Sequence, residues 1–300
     1  SWRLKHPSMS ELRDLVAGEL KLPVDPRVSG VAAAIAAKHG AAARAALFYG
    51  SCLRHEQLDG LMLDFYLIVS SYRAAYRKRC LAAANRLIPP NVFYFEHGGL
   101  ASKYAVLSEA DFAHECSPQA WTVSTAARFA QPSRLVWSAD KSTAKRIVET
   151  VSHAAPTLLG WTLPLVDRRD VPGLWKRAFE QTFGAELRAE RLGRSAAIVD
   201  ADPERYERFG KAVLNELPAL TRNRRQALRW WKRKQRHGKR YSVARLAKAS
   251  LTFANGAAYI AWKINRHAGT EIRLKPWQQR HPLVAAIVHL PKLMRTGAVR

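Results

Sequence analysis

Cysteine is scarce and forms no pattern. The 300-residue chain has three, Cys52, Cys80 and Cys116. Their odd number and wide spacing exclude a disulfide framework and a four-ligand zinc module, and point to a reducing compartment. Cys52 reads as a small buried residue filling a strand end. Long apolar runs are missing too. The longest, residues 31–37, is far shorter than the roughly 20 residues a spanning helix needs. Residues 1–20 carry charges throughout, so no signal peptide is expected there. Acids are few: 24 Asp and Glu stand against 49 Lys and Arg, a formal net charge of +25. There is no internal repeat and no low-complexity tract.

What remains is the composition of a folded protein. The apolar fraction is 48%, and the length suits one large domain or two modest ones. The positive charge is concentrated. Residues 222–300 hold 20 Lys and Arg and a single acid, Glu271. Such a segment fits a polyanionic partner, either nucleic acid or an anionic membrane surface.

The chain is organised around residues 47–69. A strand at 46–49 stops at Gly50-Ser51, and after a polar loop a second strand, 61–69, carries one carboxylate, Asp64. An isolated charge in an apolar strand is costly, so Asp64 needs a partner, and a metal cation is the obvious one. Glycine lets backbone approach a ligand closely. The N–H groups after it and the Ser51 hydroxyl can bind phosphate oxygens. Strand, Gly-Ser turn, strand with a metal-binding Asp is the pattern of nucleotidyltransferases. The usual second acid, two residues on, is Tyr66 here.

Helices are expected at 9–21 with Ser10 as N-cap, at 27–45, and from Ser70-Ser71 to Leu87, ended by Pro89-Pro90. Strands follow at 91–96, ending on Glu96, and at 102–107, containing Lys103. Those two side chains suit a metal–triphosphate site. The plain alternative is a Glu96–Lys103 ion pair across a hairpin. A helix at 109–130, capped by Ser108 and carrying Arg128, leads to a strand at 135–137 and a helix at 140–155. Amphipathic helices are read at 171–192 and 203–217. Around Trp230-Trp231 a basic run allows three readings: a membrane interface, single-stranded nucleic acid, or a solvated helix with both tryptophans turned inward. Residues 249–266 read as a core helix. Residues 281–295 read as an interfacial segment or a docked terminal helix.

Several segments in order resemble the mitochondrial translocator-maintenance type of phosphatidate cytidylyltransferase and its bacterial relatives. Tyr49-Gly50-Ser51 is similar to the family's Tyr-Gly-Ser turn. Met62-Leu63-Asp64-Phe65-Tyr66 resembles its single-Asp strand. Tyr94-Phe95-Glu96 stands where the family has Tyr-Phe and usually Asn. Lys103-Tyr104-Ala105-Val106 resembles its Lys-Tyr-Gly-Val strand, and Ala127-Arg128-Phe129-Ala130-Gln131-Pro132 its Gly-Arg-Leu-x-Lys-Pro segment. Phe183-Gly184-Ala185-Glu186-Leu187-Arg188 lies near its Gly-Asp-x-Arg motif.

The resemblance implies an α+β chain in three parts: a nucleotidyltransferase-like mixed sheet flanked by helices (1–160), a mainly helical, winged-helix-like domain (161–236), and a basic amphipathic C-terminal region (237–300). It implies a peripheral enzyme without a spanning helix, on the cytoplasmic or matrix side of a membrane, making CDP-diacylglycerol from CTP and phosphatidate with Mg2+. Tyr49, Gly50 and Ser51 would bind the nucleotide, Asp64 and Glu96 the metal, and Lys103 and Arg128 would neutralise phosphate charge. The residues alone also admit a nucleotidyltransferase acting on RNA or protein, and a non-catalytic binding module.

Overall fold

The computed structural model describes residues 9–54, 57–167, 169–185, 194–217 and 223–252. The chain opens with α1 (Met9–Leu20) and α2 (Pro26–His39). The described part of α1 begins at Met9, which puts Ser10 inside the first turn. The Asp25 carboxylate caps α2 by accepting from Arg27 N, and Pro26 occupies its first turn, where a missing N–H costs nothing. The expected helix at 27–45 is shorter in the structure. Gly40, at φ 54°, ends it after His39. Residues 43–45 join a strand despite the helix preference of alanine, because partners on both sides supply hydrogen bonds.

That strand is β1 (Ala43–Tyr49), followed by β2 (Met62–Val69). α3 (Tyr72–Ala75) and α4 (Arg79–Leu87) replace the single helix expected up to Leu87. The break at Tyr76 turns its ring inward, where the hydroxyl donates to Asn85 Oδ1 at 2.7 Å. Buried Asn85 also accepts from Asn91 N and donates to Val106 O, which ties α4 to the sheet. β3 (Asn91–His97) and β4 (Leu100–Ser108) form a hairpin through Gly98-Gly99.

Ser108 caps α5 (Glu109–Glu115) as expected, accepting from Asp111 N. The helix does not run on to residue 130. Pro118 follows closely, and the buried Glu115 carboxylate accepts from Trp121 N and the Thr122 hydroxyl, fixing a loop before α6 (Ser124–Phe129). β5 (Ser133–Ser138), α7 (Lys141–Ser152) and α8 (Ala154–Thr162) complete the sheet and its cover. Among the described residues everything after β5 is helical: α9 (Val171–Phe183), α10 (Arg194–Asp200), α11 (Pro203–Glu216) and α12 (Arg224–Thr252).

The architecture is α+β. The five strands lie in the order β3-β4-β2-β1-β5, with β2 and β4 parallel and the other pairs antiparallel. Side chains alternate between two covered faces. Phe48, Phe65, Leu67, Val69 and Val106 meet α2 through Val28, Val31 and Ile35. Leu47, Tyr66, Ile68 and Leu107 belong to one larger core that extends through α1, α5 to α9 and α11 to Trp231 of α12.

This core includes residues on both sides of 160/161. That boundary falls inside α8, and 236/237 falls inside α12, so neither lies in a linker. Trp230 and Trp231 turn inward. The Trp231 indole donates to Trp161 O at 3.1 Å, while Lys232, Arg233 and Arg236 stay exposed. The inward tryptophans are those of the third reading, and the cations remain on the outer face. The expected segments 253–266 and 281–295, and Glu186 to Arg188 of the weakest motif, lie outside the described residues.

Candidate active site

The site is built on the face of the sheet that carries Leu47 and Tyr66. Tyr49 ends β1 opposite Asp64 of β2, Asp64 lies opposite Lys103 of β4, and Lys103 lies opposite Tyr94 of β3. Opposed residues in neighbouring strands project to the same face, so this row puts Tyr49, Asp64, Lys103 and Tyr94 side by side. Lys103 Nζ reaches Asp64 Oδ1 at 3.0 Å, with both side chains half-buried. The partner of Lys103 is thus Asp64, and the Glu96–Lys103 pair weighed from sequence does not form.

Gly50 follows Tyr49 with φ 95°, in the region that favours glycine. A Cβ there would stand 3.2 Å from Asp64 Oδ2. The glycine keeps one side of the carboxylate clear while Lys103 occupies the other. Ser51 opens a short 3-10 turn, Ser51–Arg54, and is exposed. Cys52 is buried beneath it, its thiol donating to Met62 O at 3.3 Å, as a strand-end filler should.

Arg128 comes from α6. Its guanidinium donates to the Tyr66 hydroxyl at 3.0 Å and lies 5.9 Å from the centre of the Tyr49 ring. Tyr66 has a structural role of its own. Two residues beyond Asp64 on the same face, its buried ring packs on Tyr49 and Phe129, and its hydroxyl holds the arginine.

Glu96 stands apart. It shares the face with Asp64 but aligns with Ala101 of β4, and β4 separates it from β2. Two strand spacings, about 10 Å between backbones, separate the two residues. The exposed Glu96 carboxylate accepts from the Tyr94 hydroxyl instead.

Sequence reasoning missed two cations from α12. Arg245 Nε donates to Pro89 O at 2.9 Å and stacks on Tyr241. It lies within electrostatic reach of Tyr66 and Arg128, and burial lowers its pKa, with the Arg128 charge contributing. Lys248 Nζ donates to the carbonyls of Ile88 and Pro90, the latter at 2.8 Å. Burial first, and the Arg245 charge second, push its amine down to about 7. The i, i+3 spacing of Arg245 and Lys248 was a usable signal for one helix face, but nothing local says which surface that face meets.

Asp64 therefore pairs with Lys103, with a glycine turn at its side and Arg128 held by Tyr66 on the same face. Such an arrangement can bind a phosphate-bearing anion and place one carboxylate beside it. A surface depression lined by Phe112, Arg146, Ile147 and Glu149 lies between α5 and α7, and none of the candidate residues lines it. No protein-family model matches the chain, and no curated protein matches it. Among the described residues, no helix is long and apolar enough to cross a membrane.

Proposed function

We propose that the chain is a nucleotidyltransferase that moves CMP from CTP to phosphatidate, giving CDP-diacylglycerol and pyrophosphate at a membrane surface. The observation that carries this reading is the Gly50 turn seated against Asp64, with Lys103 and Arg128 on the same face. On this reading the mixed sheet is the nucleotidyltransferase core, and α9 to α11 stand where the family has its winged-helix-like domain.

Mg2+ is the implied cofactor. It commonly takes one or two carboxylates and fills its shell with water and substrate phosphate. Asp64 suits that role, because Gly50 puts no side chain against Oδ2. When bound, the ion supplies charge neutralisation on the triphosphate. Among the described residues no group of three His, Cys, Asp or Glu adds further ligands, and the Glu96 carboxylate is engaged by the Tyr94 hydroxyl.

The chain's own residues do the rest. Backbone N–H groups at Gly50 and Ser51, with the Ser51 hydroxyl, would hold phosphate oxygens. Lys103 would exchange part of its contact with Asp64 for a phosphate oxygen. Arg128, fixed by Tyr66, would orient the other phosphate group. A phosphate oxygen of phosphatidate attacks the α-phosphorus of CTP. The bond to the bridging oxygen breaks, and pyrophosphate leaves with the electron pair. A phosphate monoester is largely ionised near neutral pH, its second pKa being about 6, so no general base is required. Positioning and charge stabilisation supply the catalysis.

The test is product identity. Labelled CTP with phosphatidate vesicles should put label into the organic phase. A second reading, transfer to RNA or protein, draws support from the exposed stripe Arg225, Arg229, Lys232, Arg236 and Lys239 along α12. Label in RNA or on the protein itself would favour that reading.

A further inference from the structure

No acid stands between Asp64 and Glu96, yet that stretch holds Arg73, Arg77, Lys78, Arg79 and Arg86. All five cations are exposed, and among the described residues none of them is in an ion pair. On α4 the exposed residues are Arg79, Cys80, Ala83, Arg86 and Leu87. Their spacing, i, i+1, i+4, i+7 and i+8, makes one outward stripe, while Asn85 points inward to the sheet. Leu87 is 77% exposed, more than any other large apolar side chain among the described residues. An aliphatic tip is thus held in water amid arginines.

The tip is also held in place. Arg245 and Lys248 bond the carbonyls of Ile88, Pro89 and Pro90, the three residues that follow Leu87. Arg245 also lies within electrostatic reach of Tyr66 and Arg128, and Lys248 within reach of Arg245. The outward stripe therefore borders the cationic end of the candidate site.

We propose that the outer face of α4, with the Arg73 to Lys78 segment before it, docks on an anionic lipid surface. The cations would lie among lipid phosphates and Leu87 would enter the acyl boundary, as in an interfacial helix. The exposed apolar groups favour lipid over nucleic acid. Leucine, alanine and cysteine offer nothing for bases to stack on, and no aromatic side chain shares the stripe. This surface is built from residues 73–87 and uses none of the basic run at the start of α12. It rests on the proposed function only for the use made of the membrane.

The test is co-sedimentation of the full chain with phosphatidylcholine vesicles, with and without phosphatidate, in the absence of CTP. Leu87→Ser should weaken binding to the anionic vesicles about tenfold, as loss of one buried leucine implies. Arg79→Gln and Arg86→Gln should each weaken it about fivefold. The thermal midpoint of the exposed Leu87→Ser variant should equal that of the parent. Asp64→Asn, inactive under the proposed function, should bind vesicles like the parent. Unchanged binding by the α4 variants, or no binding by the parent, overturns the docking face. So does a lowered thermal midpoint in Leu87→Ser, which would mean that the chain itself covers this leucine. Lipid-specific binding lost in Leu87→Ser, with no CTP turnover by the parent, keeps the surface and overturns the enzyme. If Arg79→Gln and Arg86→Gln weaken RNA binding while Leu87→Ser leaves vesicle binding intact, the face is a nucleic-acid site and the inference fails.

Discussion

A single methyl group at Gly50 would meet Asp64 Oδ2 at 3.2 Å, on a backbone with φ 95°. Gly50→Ala should cost about 1–2 kcal/mol from the left-handed backbone alone. It should also displace the Asp64 carboxylate and lower turnover by at least about tenfold, since small misplacements of catalytic groups are expensive. Urea unfolding and a turnover assay on the same protein separate the two effects. A variant with the parent's turnover would remove Gly50 from the site. Lys248 gives a second prediction at this scale. Its folded amine titrates at about 7, below its ordinary 10.5. Between those values the unfolded chain binds more protons than the folded one, so on its account stability rises with pH across that window. Below pH 7 the amine is charged in both states and its burial cost is fully present. Lys248→Met should flatten the rise, seen in urea midpoints taken from about pH 6 to about pH 10.

At the scale of elements, α11 is bolted to α1 by one buried pair. Arg205 Nε and Nη2 reach the Glu19 carboxylate at 2.6 and 2.9 Å, and Nη1 donates to Ala130 O. Arg205 is 3% exposed. Arg205→Met should cost about 3–5 kcal/mol, because Glu19 then keeps a largely buried charge that has lost its direct ion pair, with only the longer-range charge of Arg134 near it. A loss below about 1 kcal/mol in urea unfolding would show that water reaches the carboxylate. The elements also explain what could be read in advance. β1, β2, the Gly50 turn and the Ser108 cap are local signals, written in consecutive residues, and they were legible. The breaks inside 70–87 and 109–130 were not, because each depends on a side chain, Tyr76 or Glu115, finding a distant or looped partner. The same limit applies to the site. Gly50 and Asp64 were readable from spacing. The Asp64–Lys103 contact depends on the parallel register of β2 and β4, and the approach of Arg245 depends on how α12 crosses the fold. Both are long-range choices made by packing.

Across the whole molecule, charge is the dominant feature. The chain carries a net +25, and among the described residues α4 and α12 each show an exposed face of Lys and Arg, while the inner face of α12 supplies Arg245 and Lys248 to the sheet. Anionic vesicle binding should therefore fall steeply between roughly 0.05 and 0.5 M salt, as screening shortens the reach of exposed cations to a few Å. Binding that persists at high salt would point to apolar insertion as the main term. The central claim is that Asp64, seated on the Gly50 turn, serves nucleotidyl transfer to a lipid phosphate. It is tested most directly by pyrophosphate release from CTP and Mg2+, with and without phosphatidate vesicles, in the parent chain and in Asp64→Asn. The account predicts release that requires the lipid and is lost in Asp64→Asn while the fold persists by circular dichroism. Lipid-dependent release that survives the substitution, or no lipid-dependent release in the parent chain, would contradict it.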